Sequence, residues 1–294
     1  MRKLHLLFCL IMGLTLLLAS CGKKEEVSLN PYLGSNKLDG DGIPADFFQD
    51  VHIRKAFAYC FNWQAIVDDV YMGEAVQAKS LVLPGMPGYD VDAPFYTTDL
   101  EKCAAEFKLA DVDKDGIPAG EDTDDVWSVG FRLQMLYNTG NSTRQTVAEV
   151  LQTNLSSVND KFVVEVLGLP WPAFLSAQRA YRIPILVAGW QEDIHDPQNW
   201  YQVFTVGPNG SSQSIPDDLL ANFVDLMEEG VSFSAASQRK AVYKELNQLY
   251  FDEVPGIPLV TATSHIYERS WVQGRIANPI RSEERRVGKE CRSR

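Results

Sequence analysis

The sequence predicts an α/β fold with a mixed, largely parallel sheet flanked by helices. Two observations carry that expectation. Between Phe131 and Ala188, short segments rich in β-branched residues take turns with segments of helical period, in the order strand, helix, strand, helix, strand. Such an order leads to parallel pairing through right-handed crossovers. Apolar residues make up 45% of the 294 positions, enough for a sizeable core in one or two domains.

The chain opens on a targeting segment. Arg2 and Lys3 precede an apolar run from Leu4 to Ala19 that is short for a membrane span. It ends in Leu18-Ala19-Ser20-Cys21-Gly22, with the polar Lys23-Lys24-Glu25-Glu26 behind it. Small residues directly before a cysteine look like a bacterial lipoprotein signal. Residues 1–21 are therefore expected to be such a signal, with cleavage before Cys21 and a lipid anchor on its thiol. Residues 22–49, polar and rich in Gly, Pro, Asn and Asp, are expected to be a linker and exposed loops. Gly40 to Ala45 formally fits a dinucleotide fingerprint, but no strand precedes it and Pro44 interrupts it, so that reading fails.

From Asp50 the pattern changes. Val51, Phe57, Phe61, Ile66 and Val70 give a helix with a wide apolar face, ended by Tyr71-Met72-Gly73. Leu81 to Tyr89, punctuated by prolines and glycines, is an extended loop. Asp99 caps a second helix, in which Leu100, Cys103, Ala104 and Phe107 recur at three and four. An acidic loop follows, Asp111-Val-Asp113-Lys-Asp115-Gly-Ile-Pro-Ala-Gly-Glu-Asp122. Acids at alternate positions and a sixth-position glycine suit an oxygen-rich calcium loop, with Asp111, Asp113, Asp115 and Asp122 as candidate ligands. Pro118 lacks the N–H that a paired EF-hand uses, and the twelfth residue is Asp rather than Glu. A solvated acidic turn fits as well, and a bound calcium would be structural.

Phe131, Leu133 and Met135 alternate with Arg132 and Gln134 in a strand. Val147, Val150, Leu151, Leu155 and Val158 mark a helix, Phe162 to Leu167 a strand, and Trp171 to Ala180 a helix. Ile183 to Ala188 then reads as a fully buried strand. It feeds Gly189-Trp190-Gln191-Glu192-Asp193-Ile194-His195-Asp196-Pro197, a plausible pocket lip, since ligands of open α/β sheets sit beyond the carboxyl ends of the strands. The plainer alternative is a strand-to-helix turn with its tryptophans in the core. Helices around Asp217–Glu229 and Ala235–Asp252 and an extended segment from Pro255 to Thr263 complete the lobe. Residues 281–294 are basic, lack apolar period and resemble a translated sequencing adapter, so they are expected to be an artefact rather than a nucleic-acid-binding tail.

The net charge is −12, more negative once leader and tail are set aside, which argues against nucleic acid as a partner. Of five cysteines, Cys60 and Cys103 lie within the lobe. They either pair, as an exported protein allows, or act as small buried apolar residues. The four histidines show no ligand spacing, so no zinc site is implied.

Three stretches coincide with one family. Asp50-Val-His-Ile-Arg-Lys-Ala-Phe-Ala-Tyr-Cys-Phe-Asn62 resembles the "D-x-R-V-R-x-A-L-x-x-A-I-D" helix of the solute-binding proteins that serve oligopeptide, dipeptide and nickel ABC importers. Asp99 to Ala110 resembles its "D-x-x-K-A-x-x-L-L-x-x-A" helix, and Gly189-Trp190 through Asp196-Pro197 is similar to its "G-W-x-x-D-x-x-D-P" element. The resemblance runs from about Asn30 to Ile280. It departs from the family at Asn62, Cys60, Cys103 and Phe107. It implies a periplasmic-binding-protein-like lobe, of a two-lobed clamp that encloses a peptide or related small solute and delivers it to ABC permease subunits. On that basis residues 50–270 are the second lobe, 271–280 begin the return to the first, and the first lobe is expected to be truncated away, leaving weak or no binding. By resemblance Asp193 meets a peptide's α-ammonium, while the backbone of Gly189, Trp190 and Gln191 pairs with the ligand as an added strand. No cofactor is implied beyond the possible calcium.

The residues agree with a binder. Gly-x-Ser-x-Gly, phosphate-loop and His-Glu metal patterns are missing from the sequence. Two alternatives are a secreted hydrolase with Glu192 and Asp193 as paired carboxylates, and a non-functional gene fragment. Adjacent residues on an extended segment point to opposite sides, which weakens the first.

Overall fold

Helix α1 (Val51–Cys60) starts where the Asp50 carboxylate accepts the N–H groups of His52 at 2.6 Å and Ile53 at 3.3 Å. These are donors that the first turn cannot satisfy internally. Its apolar face buries Ile53, Ala56, Phe57 and Cys60. Asn62 caps α2 (Trp63–Ala65), which runs on as a π-helical turn, Ile66–Val70, before β1 (Ala75–Gln77). Helix α3 (Leu100–Leu109) begins at Asp99, whose side chain accepts the N–H of Lys102, and buries Cys103 and Phe107. Cys60 and Cys103 are buried free thiols. A hydrogen bond to Cys60, then burial, pushes the Cys103 thiol far above its ordinary range.

Helix α4 (Val126–Val129) follows the acidic loop, then β2 (Phe131–Asn138), α5 (Ser142–Val158), β3 (Phe162–Leu169), α6 (Trp171–Arg179) and β4 (Ile185–Leu186). The expected parallel sheet is present, in the order β3-β2-β4. Its register pairs Phe131 with Phe162 through Asn138 with Leu169, and Met135 and Leu136 with Ile185 and Leu186. Alternation along β2 puts Phe131, Leu133 and Met135 in the core. Helices α7 (Pro197–Tyr201), α8 (Asp217–Ser232) and α9 (Ala236–Glu253) lead to β5 (Val260–Ala262), which pairs antiparallel with β1 in a separate two-stranded sheet.

This computed structural model describes residues 29–187, 189–207, 210, 215–263 and 267–273. The described residues from Pro31 onward belong to one compact unit. The leader with Cys21, residues 274–280 and the tail 281–294 lie outside the described residues. Among those described, no helix is long and apolar enough to cross a membrane.

Two expectations are corrected. The strand expected over Ile183–Ala188 has ladder pairing at Ile185 and Leu186, and both are half-buried rather than fully buried. Pro184 has no N–H to give a ladder, and β4 is an edge strand with one paired side. Ala188 lies outside the described residues. The segment expected as linker and exposed loops is largely irregular over residues 31–49, yet it adds side chains to the core. Leu33, Ile43 and Phe47 are buried, Gly34 bridges Gly42, and the Phe47 ring lies 5.4 Å from that of Phe131. That aromatic group continues through Phe131 and Phe162, stacked at 4.7 Å, to Phe107 at 4.4 Å from Phe162. A second buried cluster joins Leu81, Val82 and Met86 to Tyr201, Phe223, Tyr243 and Tyr250. Part of the loop expected over 81–89 is thus packed under α8 and α9.

Candidate functional site

The carboxyl ends of β2 and β4 open onto the segment 189–200, and its side chains tie it together in three places. Asn199 uses one oxygen twice: Oδ1 accepts the Trp190 indole N–H at 3.0 Å and the Asp193 backbone N–H at 3.2 Å. Glu192 is held at both oxygens, by the Trp200 indole N–H at 2.9 Å and by Nδ1 of His195 at 2.8 Å. Asp196 caps α7, accepting the Gln198 N–H at 3.0 Å, and pairs with Nη2 of Arg239 at 2.7 Å. Pro197 fits the first helical position, where its missing N–H costs nothing.

What this bonding leaves over marks out the candidate site. Asp193 is exposed, and among the described residues its carboxylate has no hydrogen bond or ion pair. The backbone amides of Gly189, Trp190 and Gln191 likewise have no partner among the described residues. Gly189 and Gln191 are exposed and Trp190 is half-buried. Asp193 is therefore neither the helix cap nor a structural ion-pair partner among the described residues, and Asp196 has both of those tasks. Glu192 points away into its own bonds. Glu192 and Asp193 do not form the free carboxylate pair that a hydrolase needs.

One residue was not anticipated. Arg144 lies in the first turn of α5, after β2 ends, and a Cβ placed on Gly189 would come 3.8 Å from its Nη2. Its Nη1 donates to Oδ1 of Asn138 at 2.9 Å. No carboxylate pairs with it among the described residues, and burial lowers its pKa. The sequence signal was its place in the first turn of the helix that follows β2, with Asn141 as cap.

The acidic loop brings its candidate ligands together. Oxygens of Asp111, Asp113 and Asp115 lie within 4.8 Å of one another, and so do those of Asp113, Asp122 and Asp125. Asp125, fully buried, escaped the sequence reading because it lies beyond the twelfth position. Burial raises its pKa, opposed by the N–H groups of Val126 and Val112.

The profile of the bacterial extracellular solute-binding proteins, family 5 (middle), matches residues 25–212. The chain belongs to this family. The dipeptide-binding protein of Escherichia coli K12 is 28% identical over 234 residues, which are 79% of this chain and 41% of that protein. The oligopeptide-binding protein OppA of Bacillus subtilis is 24% identical, over 81% of this chain and 40% of its own length. The chain thus spans about two fifths of the length of these relatives. Among solved structures, the periplasmic binding protein DppA of Helicobacter pylori, in complex with peptide STSA, superposes with a TM-score of 0.59 at 20% identity. It covers 73% of this chain and 39% of the other. The fold is that of a periplasmic-binding-protein lobe.

Proposed function

We propose that the protein is the extracytoplasmic, lipid-anchored solute-binding component of an ABC importer, and that the face at the carboxyl ends of β2 and β4 is one wall of a peptide site. The observation that carries this is that two opposite groups, the exposed carboxylate of Asp193 and the guanidinium of Arg144 beside Gly189, have no ion-pair partner among the described residues. A zwitterionic peptide carries their complements. Asp193 accepts from the α-ammonium, Arg144 donates to the α-carboxylate, and the unpaired amides of Gly189 to Gln191 take the ligand as an added strand. Backbone pairing gives affinity without reading side chains, which suits a carrier of many sequences. The relatives named as dipeptide- and oligopeptide-binding proteins support the same solute class. Cys21 would anchor the chain to the membrane, and permease subunits would receive the solute.

A charge-assisted hydrogen bond of this kind contributes on the order of 1.5–3 kcal/mol. A ligand on one wall keeps much of its hydration, so binding by this wall alone is weak, with a Kd of about 1 mM. Ligand-observed NMR tests the assignment with a dipeptide, its N-acetyl form and its C-amide. Acetylation should weaken binding about tenfold, and Asp193→Asn should abolish that preference. Arg144→Gln should abolish the preference for a free carboxylate. Equal losses for all three ligands in either variant would make that side chain structural. Lack of binding by any peptide would leave the gene-fragment reading standing.

A further inference from the structure

Between α3 and α4 the chain carries Asp111, Asp113, Asp115, Asp122 and Asp125 within fifteen residues. Two groups of three oxygens form, and Asp113 belongs to both. Loop amides take up part of each carboxylate. Asp111 Oδ2 accepts the Gly116 N–H at 3.1 Å, Asp115 Oδ1 that of Ile117 at 2.7 Å, and Asp122 Oδ1 that of Asp124 at 2.9 Å. Two of the oxygens that remain are enclosed. Asp111 Oδ1 and Asp122 Oδ2 are shut from solvent and have no donor.

Ionised carboxylates only accept hydrogen bonds, so the neighbouring aspartates cannot satisfy these two atoms. Protein cations do not satisfy them either. Lys114, within the loop, turns outward to Asp46. Among the described residues no lysine or arginine pairs with any of the five aspartates. The turn itself is set by left-handed backbone at Lys114 and Gly116.

We propose that this loop binds one Ca2+, with Asp113 as the shared ligand, Asp111 and Asp115 on one side and Asp122 and Asp125 on the other. A set of oxygens without His or Cys suits a hard cation. Crowded carboxylates in irregular geometry suit calcium, whereas magnesium demands a regular octahedron and keeps its water. The loop departs from an EF-hand at Pro118 and in closing through Asp122 and Asp125 rather than through a Glu. The ion would join three helices: Asp111 donates its N–H to the Asp50 cap of α1 and directly follows α3, while Asp125 caps α4. The site is independent of the peptide face.

The test is calorimetric titration of the full chain, stripped with EGTA, with CaCl2 and separately with MgCl2 at matched ionic strength. One calcium per chain should bind, and the melting temperature should rise with calcium and little with magnesium. Asp113→Asn should weaken calcium binding at least tenfold. It should also reverse sign in stability, above wild type in EGTA, where like charges crowd, and below it in calcium. Terbium luminescence sensitised by Trp127 and quenched by calcium gives a readout on the unmodified chain should the variant fail to fold. No heat and no thermal shift at about 5 mM calcium, or an equal shift with magnesium, would overturn the proposal.

Discussion

At the scale of single residues, the helix pattern opening at Asp50 is explained by bonds that the sequence alone does not show. Asp50 accepts three backbone N–H groups, two from its own helix and one from Asp111. Arg54 is buried and donates to the carbonyls of Phe48 at 2.8 Å, Gln49 at 2.6 Å and Glu253 at 2.8 Å. It thereby fastens the chain before α1 to the end of α9. Burial lowers its pKa, and Glu253 opposes that shift. Arg54→Leu leaves three carbonyls without a donor and should cost about 3–5 kcal/mol in chemical unfolding. Asp50→Ala should cost about 2 kcal/mol, more than a cap alone, because the bond to Asp111 goes with it. In the site, the sequence marks Asp193 and the Gly-Trp element by resemblance. It does not mark Asn199 or Arg144, whose importance comes from contacts nine and forty-five positions away.

At the scale of elements, local signals serve well where they decide the outcome. The cap at Asp99 and the alternation along β2 are readable because each is a short-range preference. The strand β4 is less so, since pairing on one side only and the missing N–H of Pro184 outweigh its apolar composition. The Asp99 cap yields a test with a sign. Its carboxyl is held below the ordinary range, first by the Lys102 N–H. A lowered carboxylate stabilises the fold above its unfolded pKa and loses that contribution as pH falls through the folded value. Asp99→Ala should therefore lower the melting temperature at pH 7 and approach wild type near pH 2–3. The helix pair α1 and α3 gives a second test. The buried Cys60–Cys103 thiols should resist iodoacetamide at pH 8 until the chain is unfolded, since the thiolate is the reactive form.

At the scale of the molecule, the class of fold and the parallel core are legible, while the long-range closures are not. The pairing of β1 with β5 joins residues almost two hundred positions apart, and nothing local to Ala75 announces it. The polar, glycine-rich composition of 31–49 hides the fact that Leu33, Ile43 and Phe47 complete the core. Phe47→Ala should cost about 3–5 kcal/mol, measured by urea unfolding, whereas a true linker residue would cost nearly nothing. If peptide binds at the carboxyl end of the parallel sheet, as proposed, amide chemical-shift mapping of the isotope-labelled chain against a free dipeptide should locate it there. Saturable shifts should group at Asn138–Arg144 and Gly189–Asn199. Shifts centred elsewhere, such as the hollow lined by Trp63, Tyr96 and Pro258, or no shifts at saturating peptide, would sink the assignment of that face as the peptide site.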